Sequence, residues 1–319
     1  MKAITRMFAA LALGMACMGH TAFASSGPVR LVIFAAGGPV DIVARQLAEK
    51  LSSETGSEVI VDPRPGANGI IAAQNVVASK GDGTTLLFSS SGLFTISPTL
   101  QELPFDIDKD LKPVSRVVVN ASAVAIDARI PADNVAEFIE YARSQSRPVA
   151  FGSPGMGNIT QLWIEQFKEA TGLNLLHVPY KGIAPALVDV MGGRLAGTIG
   201  DMPAFLPHIS AGKVKVIGLV GEKRSPAVSH IPTVLEQGFP GVEAVSWYAL
   251  FAPGSTPDAL IARMADAVNK ALSDDGLRER LRSIGVEPSP TSPEELAAIV
   301  RTDRQRWAKV IRDRNISIK

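Results

Sequence analysis

The stretch Val29-Arg30-Leu31-Val32-Ile33-Phe34-Ala35-Ala36-Gly37-Gly38-Pro39-Val40-Asp41-Ile42-Val43-Ala44-Arg45-Gln46-Leu47 decides the fold. Residues 29–34 form a run that is apolar apart from Arg30, Gly37-Gly38-Pro39 breaks it, and residues 41–55 carry helical periodicity until Gly56 closes the segment. Val43, Leu47 and Leu51 recur every four residues and share one face, while Arg45, Glu49 and Lys50 point elsewhere. A strand, a glycine turn and a helix open a βαβ unit. The pattern continues with strand-like Val59-Ile60-Val61 and Leu86-Leu87-Phe88, separated by a helical segment over about 70–78.

The same grammar returns in the middle of the chain, where 149–151, 174–178, 197–199 and 214–220 are strand-like with helical stretches between them. Two sheets are implied. A chain of this length is near the practical limit of one core, so two lobes of similar size are expected rather than one large domain. The C-terminal third reads as helical, with Thr256-Pro257-Asp258 and Ser292-Pro293-Glu294-Glu295 each placing a cap, a first-turn proline and an acid in order.

The N-terminus has Lys2 and Arg6, an apolar run over 7–18, and Ala22-Phe23-Ala24 before Ser25: a secretory leader with cleavage expected after Ala24. A lipoprotein reading at Cys17 is disfavoured, because Gly14-Met15-Ala16 lacks the leucine such signals carry. Cys17 is the one cysteine, so the mature chain must be stable in an oxidising compartment without disulfides. The 32 Lys and Arg against 31 Asp and Glu fall by Lys2 and Arg6 when the leader leaves, giving a mature net charge of about −1. Nucleic acid is thereby a poor partner. No later apolar run reaches membrane-spanning length, so a soluble periplasmic protein is expected.

Enzyme chemistry finds little support. His177, His208 and His230 are far apart and in no zinc spacing. Phe151-Gly152-Ser153-Pro154-Gly155 resembles a serine elbow but has Phe151 where that motif needs glycine. Asp106, Asp108 and Asp110 alternate like a calcium loop, yet Leu111 and Val117 stand where glycine and glutamate belong. Gly155-Met156-Gly157 has neither a third glycine nor a P-loop lysine. No catalytic residue, metal or cofactor is expected. What the chain does have is two glycine-rich turns, each after a strand and opening a helix: residues 35–39 and 152–158. Such turns leave N–H groups unpaired where the helix dipole is positive, and a missing Cβ lets an anion approach. A tight βα turn is the plain alternative for either alone; one in each lobe points to a carboxylate seat.

Phe34-Ala35-Ala36-Gly37-Gly38-Pro39-Val40-Asp41, Arg64-Pro65-Gly66-Ala67, Val178-Pro179-Tyr180-Lys181-Gly182, Lys223-Arg224-Ser225-Pro226 and Phe251-Ala252-Pro253 occur in series. In that order and spacing the chain resembles the Bug receptors, periplasmic solute-binding proteins of tripartite tricarboxylate transporters. The resemblance implies a two-lobed α/β fold of the type II periplasmic-binding class, with two mainly parallel sheets flanked by helices and the ligand cleft between lobes. Residues 25–120 plus 246–319 would form lobe 1 and 121–245 lobe 2, with chain crossings near 117–126 and 242–251. It also implies a site of Ala36, Gly37, Gly38 and Asp41 as first jaw and Gly155, Met156, Gly157 and Asn158 as second. Ser90 and Ser91 line the pocket, and Asp201 faces the cleft, a cap on the next helix being its plainer role.

The sequence departs from the family at Pro39, where a third glycine is usual, at Pro63, where asparagine is usual, and at Gln161-Leu162, where His-Leu is usual. Pro39 removes a donor from the first jaw. The implied partners are a small organic, amino or aromatic acid and the membrane permease subunits, with the receptor a monomer. A periplasmic sensor feeding a two-component system would use the same ligand trap, and a small-acid hydrolase is the remaining alternative.

Overall fold

A computed structural model describes residues 27–242 and 245–317, so the expected leader, with Cys17, lies outside the described residues. In chain order the elements are β1 (Val29–Ile33), α1 (Pro39–Thr55), β2 (Val59–Pro63), α2 (Ile70–Val77), β3 (Thr85–Ser90), α3 (Ser91–Thr95), α4 (Ser97–Leu100) and β4 (Leu111–Asn120). There follow β5 (Ser122–Asp127), α5 (Val135–Ser144), β6 (Ala150–Ser153), α6 (Ile159–Thr171), β7 (Leu176–Pro179), α7 (Ile183–Met191), β8 (Gly197–Asp201), α8 (Met202–Ser210) and β9 (Val214–Val220). The chain ends with β10 (Ser246–Pro253), α9 (Asp258–Leu272), α10 (Asp275–Ser283), β11 (Val286–Pro288) and α11 (Pro293–Asp313).

The strands make two sheets, ordered β11-β4-β10-β3-β1-β2 and β7-β6-β8-β5-β9. Parallel pairing is confined to β2-β1-β3 and β7-β6-β8, the βαβ portions. β4, β10 and β11 pair antiparallel in the first sheet, and β5 pairs antiparallel with β8 and β9 in the second. The sheets are therefore mixed: β10 runs against β3 and β4 in the first, and β5 runs against β8 and β9 in the second. The transfer is abrupt: β4 ends at Asn120, β5 begins at Ser122, and Ala121 alone lies between the two sheets. β10 brings the chain back.

Each sheet is covered on both faces, as a two-sided apolar strand requires. In lobe 1, Val43, Leu47 and Leu51 of α1 pack with Met264 and Val268 of α9 against Leu31, Ile33 and Phe88, while Ala72, Ala73 and Val76 of α2 cover Val32 and Leu87 on the other face. In lobe 2, Phe138, Phe151, Trp163 and Phe167 fill one face and Leu187, Val190 and Phe205 the other. The last helix joins both cores. Leu296 and Val300 pack in lobe 1, whereas Trp307 and Ile311 pack with the lobe 2 cluster that holds Leu162 and Trp163. Residues 246–319 are thus not all of lobe 1, since one 21-residue helix is long enough to span both.

The capping box at Ser292 forms as its spacing demands, with Ser292 Oγ accepting from Glu295 N and Glu295 Oε2 accepting from Ser292 N. The start of α9 differs: Pro257 occupies the cap position without a side-chain bond, and the Thr256 hydroxyl is buried without a partner. Asp106 and Asp110 close their own turn, and Asp108 takes a bidentate bond from Arg304, so these carboxylates are held by protein groups.

Candidate ligand-binding cleft

The two glycine turns are built alike. In the first, Gly37 has φ 69, Gly38 is the cap of α1 and Pro39 its first residue. Asp41, in the first turn of the helix, reaches back so that Gly37 N–H donates to Asp41 Oδ2 at 2.8 Å. In the second, Gly157 has φ 70, Asn158 caps α6 by accepting from Gln161 N, and Gly157 N–H donates to Gln161 Oε1 at 2.7 Å. Both helices therefore use their third residue to tie the glycine just before the cap, a relative of the capping box. The expectation that these two glycines present free amides is corrected: side chains four residues on already take them. The donors left at each jaw are the first-turn N–H groups that no intrahelical acceptor can reach, such as Val40 and Thr160.

The jaws differ in charge. Asp41 is a buried carboxylate whose other oxygen lies 2.8 Å from Arg45 Nε, so its side chain braces the turn. Gln161 does the equivalent work as a neutral amide. Beside it, Asn158 Nδ2 is buried with no partner, and in lobe 1 the buried Ser91 Oγ is in the same condition. Orphaned donors of this kind cost free energy until an acceptor arrives.

Behind the second turn, Tyr180 N–H donates to Ser153 O and Gly182 N–H to Pro154 O, so the Tyr180-Lys181-Gly182 segment buttresses it. Ser153 Oγ lies 2.6 Å from His177 Nε2 and also bonds Gly155 O at 2.8 Å. A hydroxyl has one proton; with Oγ–H given to Gly155, His177 donates to Ser153. Burial lowers the His177 pKa, which keeps the ring neutral at physiological pH. Ser153 is fully buried, so this pair fixes the turn and offers no accessible nucleophile.

Asp201 stands at the end of β8. It occupies the cap position of α8 but makes no capping bond. Instead Oδ1 accepts from Ser122 Oγ at 2.7 Å, and Oδ2 accepts from Tyr248 Oη at 2.7 Å and Ser246 Oγ at 3.2 Å. Ser246 Oγ in turn accepts from Asn120 Nδ2 at 2.7 Å. Burial raises the Asp201 pKa, and the three hydroxyl donors oppose that rise. Ser90 joins this group through its pairing with Tyr248. Between the lobes, Asn68 Nδ2 of lobe 1 donates to Met156 O of lobe 2 at 2.7 Å.

A family model described as the tripartite tricarboxylate transporter family receptor matches residues 43–316. The chain belongs to this family. Among the receptor's relatives is BugT of Bordetella pertussis, 31% identical with 99% of each chain covered. Rpa4515 of R. palustris, solved with adipate, is 33% identical with a TM-score of 0.87, covering 92% of this chain and 99% of that one. MatC of Rhodopseudomonas palustris, solved with bound malate, is 28% identical with a TM-score of 0.81, covering 90% and 99%.

Within this receptor the structure places Ala36, Gly37 and Gly38 at an accessible turn of lobe 1, and Gly155, Met156, Gly157 and Asn158 at the corresponding turn of lobe 2. Ser90 and Ser91 end β3 and start α3, and Asp201 lies where both lobe crossings meet. Sequence reasoning missed Asn68, Asn120, Ser122, Ser246 and Tyr248. The Arg64-Pro65-Gly66-Ala67 motif stood next to Asn68, and Gln161 was visible as a departure from the family, but neither pattern says what the side chain meets.

Proposed function

We propose that this receptor is an extracytoplasmic solute-binding protein that closes its two lobes on one small carboxylate and hands it to the permease subunits of a tripartite tricarboxylate-type transporter. It performs no chemistry on the ligand. The observation that carries this reading is one helix-opening glycine turn on each lobe, the second of them reached from lobe 1 by the 2.7 Å bond of Asn68 to Met156. A carboxylate bridging the turns accepts from first-turn amides, and Asn158 Nδ2 and Ser91 Oγ gain the acceptors they lack. The second turn is the main carboxylate seat, because Asp41 puts negative charge at the first and Gln161 puts none at the second. Adipate and malate in two relatives point to aliphatic dicarboxylates as first candidates. Residues 1–24, read as a secretory leader, support export to the periplasm.

Calorimetry on protein unfolded and refolded to strip carried-over ligand tests the reading, with adipate, malate, amino acids and aromatic acids in the panel. One-to-one binding of an acid at micromolar affinity or tighter is expected; saturable binding by sugars or cations alone defeats it.

A further inference from the structure

We propose that Asn68 is a positioning residue of the cleft, setting the Met156–Gly157 peptide so that the second anion-binding turn takes its working geometry only when the lobes are together. This rests on the reading of the cleft as a ligand trap. A trans peptide is planar with C=O and N–H on opposite sides, so pinning both ends fixes its plane. Here the Met156 carbonyl accepts from Asn68 Nδ2 at 2.7 Å, and the Gly157 N–H donates to Gln161 Oε1 at 2.7 Å. One pin comes from the peptide's own helix and the other from the opposite lobe.

The segment bearing Asn68 is shaped for that reach. Gly66, Ala67, Asn68 and Gly69 have φ of 131, 47, 52 and 98, a run on the left-handed side in which Ala67 and Asn68 are not glycine. Side chains adopt that region at a cost, and asparagine adopts it more readily than most. Gly69 is held against lobe 1, with Phe34 Cβ 3.4 Å from where its own Cβ would stand, and Phe34 leads directly into the first turn. Asn68 is itself exposed, so its bond forms and breaks with lobe closure without disturbing a core. On the other side, the pinned peptide turns about ψ of Met156 and φ of Gly157; Gly157 at φ 70, with Gly155 at φ 155 before Met156, lets it rotate once the Asn68 bond is gone. Closure and the geometry of the second jaw are thereby one event.

The test needs no ligand. Asn68→Gly keeps the backbone conformation and removes the donor; Asn68→Asp keeps the shape and sets a carboxylate against a carbonyl. Spin labels at Glu49→Cys on α1 and Glu140→Cys on α5, both exposed, report the interlobe distance in the chain from Ser25 onward, which has no other cysteine. Refolded, ligand-free wild type should show the closed distance in a larger fraction of molecules than either variant. Exchange of the Gly157 amide should quicken by about tenfold in both, the scale of one net hydrogen bond, while the Gly37 amide in the other jaw is unchanged. Identical distance distributions and identical Gly157 exchange in wild type and Asn68→Gly overturn the proposal. Failure of every acid to bind would instead defeat the ligand-trap reading, and these measurements keep the two apart.

Discussion

Tyr248 donates its phenolic hydroxyl to Asp201 at 2.7 Å, joining the strand that returns to lobe 1 to the end of a lobe 2 strand. Ser122 on the outgoing crossing bonds the same carboxylate, so one side chain is tied to both chain passages between the lobes. Tyr248 also stands edge-on to Phe88, which anchors its ring in the lobe 1 core.

The first prediction follows from that arrangement. Burial raises the Asp201 pKa above its ordinary 3.8, so its contribution to stability is fully present below that value and is lost as pH rises through the raised one. Asp201→Asn, which cannot ionise, should gain stability relative to wild type by on the order of 1 kcal/mol across that rise. Urea unfolding of both proteins from pH 4 upward measures it; a stability difference independent of pH would show that Asp201 does not titrate in the fold.

The charge asymmetry of the jaws gives the second. Gln161→Glu preserves an acceptor for Gly157 N–H and adds a negative charge at the second jaw, and should weaken acid binding by about tenfold. Asp41→Asn preserves the acceptor for Gly37 N–H, frees Arg45, and should strengthen binding by a smaller factor. Equal effects of the same sign would refute the assignment of the second turn as the main seat.

The third concerns His177. Burial lowers its pKa from 6.5, with Glu165 opposing and Lys168 adding to the shift. The neutral ring is the form the fold favours, so stability falls as pH drops below 6.5, by up to about 1 kcal/mol. His177→Gln should flatten that acid limb, read by thermal unfolding between pH 5 and 8, and should leave acid binding at neutral pH within about twofold.

The fourth tests the bridging helix. Trp307 is 2% exposed and packs in the lobe 2 core from a helix that starts on lobe 1. Trp307→Ala should cost about 3–5 kcal/mol. If the helix tail were merely laid on the surface, denaturation midpoints would hardly move.

Local chemistry decided much of this receptor before any folding was known. The Val29 strand, the helix over Val43, Leu47 and Leu51, the left-handed glycines at 37 and 157 and the Ser292 capping box all follow from interactions within a few residues, which periodicity and turn chemistry encode. The strand over 111–120 and the mixed character of the sheets were less legible, because antiparallel pairing with a segment more than a hundred residues away leaves no local period. The same limit governs the site. Asn68 meets Met156 across 88 positions of chain, Ser122 meets Asp201 across 79, and Ser153 meets His177 across 24. Whether Asp201 capped its helix was decided in the tertiary structure, where three hydroxyls from distant strands converged on one carboxylate in place of the helix's own amides.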